Sequence, residues 1–162
     1  ASDVYKRQDL ERASGEGIEE ACQRRMSIET EDGEVSGWPA AAAIASGAVT
    51  RLQRSLQKAW HEDTNAVMIV RGCQNYFQQL GLAGYAMKNG ESAKNAIRSL
   101  RPPPHFKQQD CLHSHLQRWQ PQIAMDIVNR LQDIELHIKS SSLDVHIYTS
   151  QSLLGICLRA PH

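Results

Sequence analysis

The feature that most constrains this chain is a long stripe of apolar and small residues within residues 64–88. The stripe repeats in alternating steps of four and three residues, which places its members on one side of an α-helix. The members are Ala66, Val70, Cys73, Phe77, Leu80, Gly84 and Met87, with Ile69, Tyr76 and Ala83 beside them. Because the stripe is wider than a coiled-coil seam, it predicts a helix packed among several others. Asn89 and Gly90 follow it and tolerate the left-handed turn that ends many helices.

Turn signals divide the remaining sequence into further helical segments. Pro39 suits the first turn of one helix, Ser92 caps another, and Pro121 begins a third. In the last segment, residues 143–159, we expect Ile147, Leu154, Cys157 and Leu158 to face inward. Residues 145–148 are the one stretch that competes as a strand, and they have no evident strand partner. The predicted fold class is therefore all-α, a multi-helix bundle.

Composition fits a domain with a buried core and excludes a large net positive charge on the chain as a whole. Of the 162 residues, 41% are hydrophobic, and 18 Lys and Arg balance 18 Asp and Glu. No apolar run approaches the roughly 20 residues needed to span a bilayer, and no signal peptide is recognisable. Cys22, Cys73, Cys111 and Cys157 stand apart in the sequence. We expect free thiols in a reducing compartment and a cytoplasmic protein without membrane contact.

The N-terminal part of the chain has a different character from the rest. The first eight residues resemble a translated sequencing scar, and the acidic segment 28–35 contains the turn signal Asp32-Gly33. Because the chain begins at Ala1, we expect it to be a fragment. The predicted organisation is a scar and a remnant of a preceding domain in residues 1–36, followed by a helical domain in residues 37–162.

Residues with catalytic or metal-binding potential are few. Cys111, His113 and His115 form the one metal-like cluster, but on a helix His113 points away from the other two. A structural zinc site needs four ligands, and no second cluster supplies the rest. Phosphate-binding glycine loops and nucleophile–base constellations are also lacking. The sequence thus predicts no catalytic site, no cofactor and no metal, with an enzyme that uses this cluster as a minor alternative.

Several short motifs, taken in order, resemble one protein family. The motifs are Arg71, Phe77 and Leu80 in the central helix, LRPPPHFK over residues 100–107, the pair Arg118-Trp119, and Leu131, Glu135 and Lys139 near the end of a later helix. Their order and spacing resemble the C-terminal region of bacterial DNA polymerase III delta subunits, which belong to the sliding-clamp loader. Residues 41–56 resemble the segment that begins that region, and residues 28–35 the end of the preceding lid domain.

The resemblance implies a fold, a role and a set of partners. It implies a helical collar domain that joins the collar domains of other clamp-loader subunits and has no catalysis of its own. The sliding clamp would be contacted through regions absent from this chain, and primed DNA through the whole complex, during DNA replication. The residues implied as candidate interface positions are Phe106, Arg118, Trp119, Glu135 and Lys139. On the helix, Glu135 and Lys139 also have the favourable spacing of an ion pair.

A helical nucleic-acid-binding module is the alternative that the residues leave open. Arg51, Arg54 and Lys58 lie on one side of a predicted helix, and Arg71 lies in the next. If these basic side chains form one open patch, they would contact the phosphates of a nucleic acid, and binding would weaken steeply with salt. Trp38, Trp60, Trp119 and Phe106 could stack on bases, although aromatic residues at helix ends are typical of cores and interfaces.

Overall fold

A computed structural model describes residues 37–104, 106–141 and 144–161 of the chain. These residues form seven α-helices and no strand. The helices are α1 (Trp38–Ser46), α2 (Val49–His61), α3 (Ala66–Lys88), α4 (Ala93–Arg98), α5 (Phe106–Leu116), α6 (Pro121–Ser140) and α7 (Val145–Leu158). The prediction of an all-α bundle is confirmed. The predictions for residues 1–36 lie outside the described residues.

Helix α3 is the central element, as its apolar stripe predicts. Its N-cap is Asn65, whose side chain accepts a hydrogen bond from the Val67 amide, and it ends before Gly90, which has a φ of 99°. All members of the predicted stripe are buried except Met87, which is half-buried. Helix α6 is its most extensive packing partner. The two helices therefore form the framework on which the shorter helices pack.

Helix α1 is enclosed by its neighbours on nearly all sides. Its residues 41–45 are small or branched apolar residues, each at most 1% exposed. It contacts α2, α3, α5 and α7. Where its start crosses α3, a Cβ atom on Gly72 would lie 2.5 Å from the Cα atom of Gly37. The two backbones approach closely there because neither residue has a side chain.

Helix α7 corrects one prediction about which side chains face the core. Thr149, Leu153, Ile156 and Cys157 are buried, whereas Ile147 is 57% exposed and Leu158 is 68% exposed. The fourth predicted residue, Leu154, is half-buried. Apolar residues lie on several sides of this helix, so their spacing does not single out one inward face. The predicted helix itself is confirmed, because residues 145–148, which could have formed a strand, begin α7.

The cysteines depart in one respect from the prediction of free thiols. Cys73 and Cys157 are free and buried, and burial raises the pKa of the Cys73 thiol to about 12. Cys111 is disulfide-bonded, which corrects the expectation that every cysteine is a free thiol. Within the described ranges, no helix combines the length and the apolar character required to cross a bilayer.

Candidate functional site

Three residues from two separate motifs meet between α3 and α6. The carboxylate of Glu135 accepts hydrogen bonds from Arg71 Nε at 3.0 Å and from Lys139 Nζ at 2.8 Å. Gln74 Nε2, one turn after Arg71, donates to the same carboxylate at 2.8 Å. The Glu135 side chain is only 13% exposed, whereas those of Arg71 and Lys139 are about half exposed. The cluster therefore joins the two main helices at the edge of the bundle.

The hydrogen bonds of this cluster stabilise the ionised form of Glu135. Those from Lys139 and Gln74, with the Arg71 guanidinium, lower the pKa of the carboxyl from 4.5 to about 2. Because the folded-state pKa is the lower one, the stabilisation is fully present above pH 4.5. It is lost as the pH falls from 4.5 towards 2, because the Glu135 carboxylate is protonated at a higher pH in the unfolded chain than in the folded chain.

We expect Glu135→Gln to lower the free energy of unfolding by about 1 kcal/mol at neutral pH. The deficit should shrink as the pH falls from 4.5 towards 2, because the wild type then loses the same charge. Urea denaturation at several pH values measures both effects. Asp133→Asn is the matched control, since it removes an exposed carboxylate from the same helix. Equal pH profiles for Glu135→Gln and the wild type would contradict the assignment.

Trp119 lies inside the bundle. Its side chain is 5% exposed, and its ring meets that of Phe77 edge-to-face with 5.1 Å between the ring centroids. The indole Nε1 donates a hydrogen bond to the backbone carbonyl of Ala45 at 2.9 Å. This residue thus connects α1, α3 and the segment between α5 and α6. As a core residue it is not presented to another subunit by the described surface.

The other two candidate interface residues differ in exposure. Phe106, the first residue of α5, is 63% exposed, which makes it the accessible aromatic residue of the set. Arg118 is half-buried, and its charge contributes to the lowered pKa of His115. Of the five candidates, Phe106 is the large apolar side chain that another protein can reach.

A cavity of about 250 Å³ lies beside the proline turn. The prolines at 102–104, Trp38 and Tyr76 contribute to its lining. The side chains of Asn75, Gln79 and Gln108 add amide groups to the lining. Since this lining contains no charged side chain, the cavity suits an uncharged group and not a phosphate.

His115 is the centre of a buried polar chain. Its Nε2 atom lies 2.8 Å from Ser46 Oγ, and its Nδ1 atom lies 2.6 Å from the Tyr76 hydroxyl. Burial, helped by the charge of Arg118, lowers the pKa of His115 to about 3. The ring is therefore neutral at pH 7, and one hydroxyl donates to it while the other accepts from it. This chain ties α1, α3 and α5 together.

The same hydrogen bonds decide whether this region suits metal binding or nucleophilic catalysis. Both ring nitrogens of His115 are engaged by hydroxyl groups, and the described residues contain no group of three or more His, Cys, Asp or Glu side chains that could hold a metal. Ser46 is the last residue of α1, where the negative end of the helix dipole disfavours an oxyanion. The geometry here is that of a structural contact.

The basic residues on which the nucleic-acid-binding alternative depends are distributed over two helices. Arg71 is engaged by Glu135, and Lys58 lies 4.0 Å from Glu62. Arg54 is exposed and Arg51 is half-buried. An acidic side chain thus accompanies both Arg71 and Lys58, which weakens the positive potential that phosphate binding requires.

Three side chains of these clusters were not identified from the sequence. Gln74, Ser46 and Tyr76 all take part through partners more than 35 positions away in the chain. Tyr76 gave a partial signal, since a tyrosine within an apolar stripe needs a partner for its hydroxyl. Gln74 and Ser46 gave none, because single polar residues on helices are usually solvated.

Comparison of the chain with protein-family models, with curated proteins and with solved structures finds no match.

Proposed function

We propose that residues 37–162 are the collar-type helical domain of a bacterial clamp-loader delta subunit. The observation that carries the proposal is the meeting of Arg71, Glu135 and Lys139 in one cluster. These residues belong to two of the motifs on which the resemblance rests, 64 positions apart in the chain. Residues that fix the packing of two main helices are those that a common fold would require at fixed positions.

The proposed role is assembly and not catalysis. The domain would pack against the collar domains of other loader subunits, while ATP bound by those subunits changes the shape of the complex. The sliding clamp is thereby opened and placed on primed DNA. An all-α bundle with balanced charge suits a permanent interface between helical domains. A cytoplasmic location belongs to the same proposal.

The direct test is size-exclusion chromatography with light scattering on the full chain mixed with the C-terminal domains of the other loader subunits. We expect one stoichiometric complex, weakened by Phe106→Ala because this side chain is accessible. Met68→Ala is the matched control, since Met68 is 60% exposed and lies on α3. Trp119→Ala is unsuitable, because it would disturb the core and the interface together.

Two results would count against the proposal. A chain that elutes alone beside every partner domain lacks the assembly role. Binding of primed DNA by the chain alone, with an affinity that falls steeply with salt, would favour the nucleic-acid-binding module instead. Circular dichroism of each variant separates lost binding from lost folding.

A further inference from the structure

The outer side of α7 is an apolar seam on the surface. The seam consists of Ile147, Gln151, Leu154 and Leu158, which recur in steps of four, three and four. Ile147, Gln151 and Leu158 are exposed, and Leu154 is half-buried. The helix contains no Asp, Glu, Lys or Arg over its 14 residues. A surface helix normally carries charged groups on its outer face, so this face has the character of one that another protein covers.

Gly155 lies beside the seam, and no close contact within the described part of the chain explains why this position is a glycine. A Cβ atom built on it would have nothing within 4 Å. Glycine within a helix is less favourable than alanine, because it loses more backbone freedom on folding. At Gly72, by contrast, a crossing backbone occupies the space of the missing side chain. A second helix that packs closely against the seam would occupy the space beside Gly155 in the same way.

We propose that the α7 seam binds the α7 seam of a second copy of this chain, in an antiparallel two-fold arrangement. The order of steps reads the same in both directions, so an antiparallel copy places Ile147 opposite Leu158 and Gln151 opposite Leu154. A two-fold interface joins the same surface of both copies, so a charged surface would be placed against like charge, which is unfavourable. The α7 seam has no such charge.

The two ends of α7 carry opposite charges that complement this orientation. Asp144 is the N-cap and Arg159 is the C-cap, and both are exposed. With a two-fold axis midway between Gln151 and Leu154, Asp144 of one copy and Arg159 of the other are about 3 Å apart along the helix axis. At 100° per residue, both lie on the same flank of the seam.

A parallel pair would have the opposite electrostatic character. It would bring Asp144 next to Asp144 and Arg159 next to Arg159, with the two helix dipoles aligned. The charges at the ends of α7 therefore specify the antiparallel pair. One helix seam is smaller than a standard protein–protein interface, so the dimer is weak and reversible. The inference does not rest on the clamp-loader proposal, and either can fail without the other.

Sedimentation equilibrium of the full chain over a wide range of concentration tests the pairing. The weight-average mass should rise from 18.1 kDa towards twice that value. Leu158→Lys and Ile147→Lys should each abolish the rise, because each would bury an unpaired charge against an apolar side chain of the other copy. Met68→Lys, at a similarly exposed position on α3, should leave it unchanged. All three sites are exposed, so the fold should be retained, which circular dichroism verifies.

Asp144→Asn tests the orientation, since asparagine keeps the helix cap and removes the charge. In the antiparallel pair it weakens dimerisation severalfold at low salt, and the difference from the wild type shrinks as salt is added. In a parallel pair it would strengthen dimerisation. A wild-type chain that stays monomeric at every concentration overturns the proposal, as does a dimer that survives Leu158→Lys. A dimer strengthened by Asp144→Asn overturns the antiparallel arrangement.

Discussion

Replacing Trp119 with alanine is expected to lower the free energy of unfolding by about 3–5 kcal/mol. The indole ring is 5% exposed and packs edge-to-face on Phe77, so its removal leaves a cavity between α1 and α3. It also removes the hydrogen bond to the carbonyl of Ala45, a residue that is fully buried. Urea denaturation followed by circular dichroism measures the change.

Two variants separate the contributions at this site. Trp119→Phe keeps an aromatic ring against Phe77 and loses the N–H donor, so we expect a smaller loss of about 1–3 kcal/mol. Met68→Ala is the exposed control, since Met68 is 60% exposed, and its effect should stay within about 0.5 kcal/mol. If Trp119→Ala cost no more than Met68→Ala, the indole would not be a core element. Trp119 would then regain its candidacy as an interface residue.

Trp119 illustrates which part of the fold the sequence predicts and which part it leaves open. An aromatic residue between two helices is typical both of a core and of an interface. Local sequence cannot separate these cases, because the difference depends on whether α1 lies over the ring. The deciding contact, from the indole to Ala45, spans 74 positions. Helix α3 was predictable because its apolar stripe is long and continuous.

The Glu135 cluster was predictable only in part, for a similar reason. The pair of Glu135 and Lys139 follows from helix geometry, since residues four apart are neighbours. The contacts from Arg71 and Gln74 come from a different helix and depend on how α3 and α6 cross. Sequence periodicity predicts that both helices exist, but it does not fix their register. The disulfide of Cys111 was likewise missed, because spacing alone does not identify a pair.

Helix α7 shows where hydrophobic periodicity gives a wrong result. The rule assigns the apolar side to the core and the charged side to solvent. In α7 no charged residue marks the outer side, and apolar residues on both sides satisfy the same spacing. Ile147 and Leu158 were therefore assigned to the interior although they are exposed. A second apolar face is a failure for fold prediction, but it is a signal for binding.

Replacing Gly72 with alanine should lower the free energy of unfolding by about 2–3 kcal/mol, through overpacking at the crossing of α1 and α3. A Cβ atom there would lie 2.5 Å from the Cα atom and 2.8 Å from the backbone nitrogen of Gly37. Both contacts are with backbone, so no side-chain rotation relieves them. The N-terminal end of α1 would have to move away from α3, and the buried contacts of Trp38 would move with it.

Gly155→Ala is the matched control and should have the opposite sign. Its Cβ atom meets nothing within 4 Å, so the intrinsic helix propensity of alanine should raise the free energy of unfolding by about 0.5–1 kcal/mol. Both variants are measured by urea denaturation at low protein concentration, where a weak dimer makes no contribution. If Gly72→Ala were also stabilising, α1 would be able to move away from α3 without loss of stability, which would contradict the overpacking prediction. The same substitution thus distinguishes a glycine required inside the bundle from one whose purpose lies outside it.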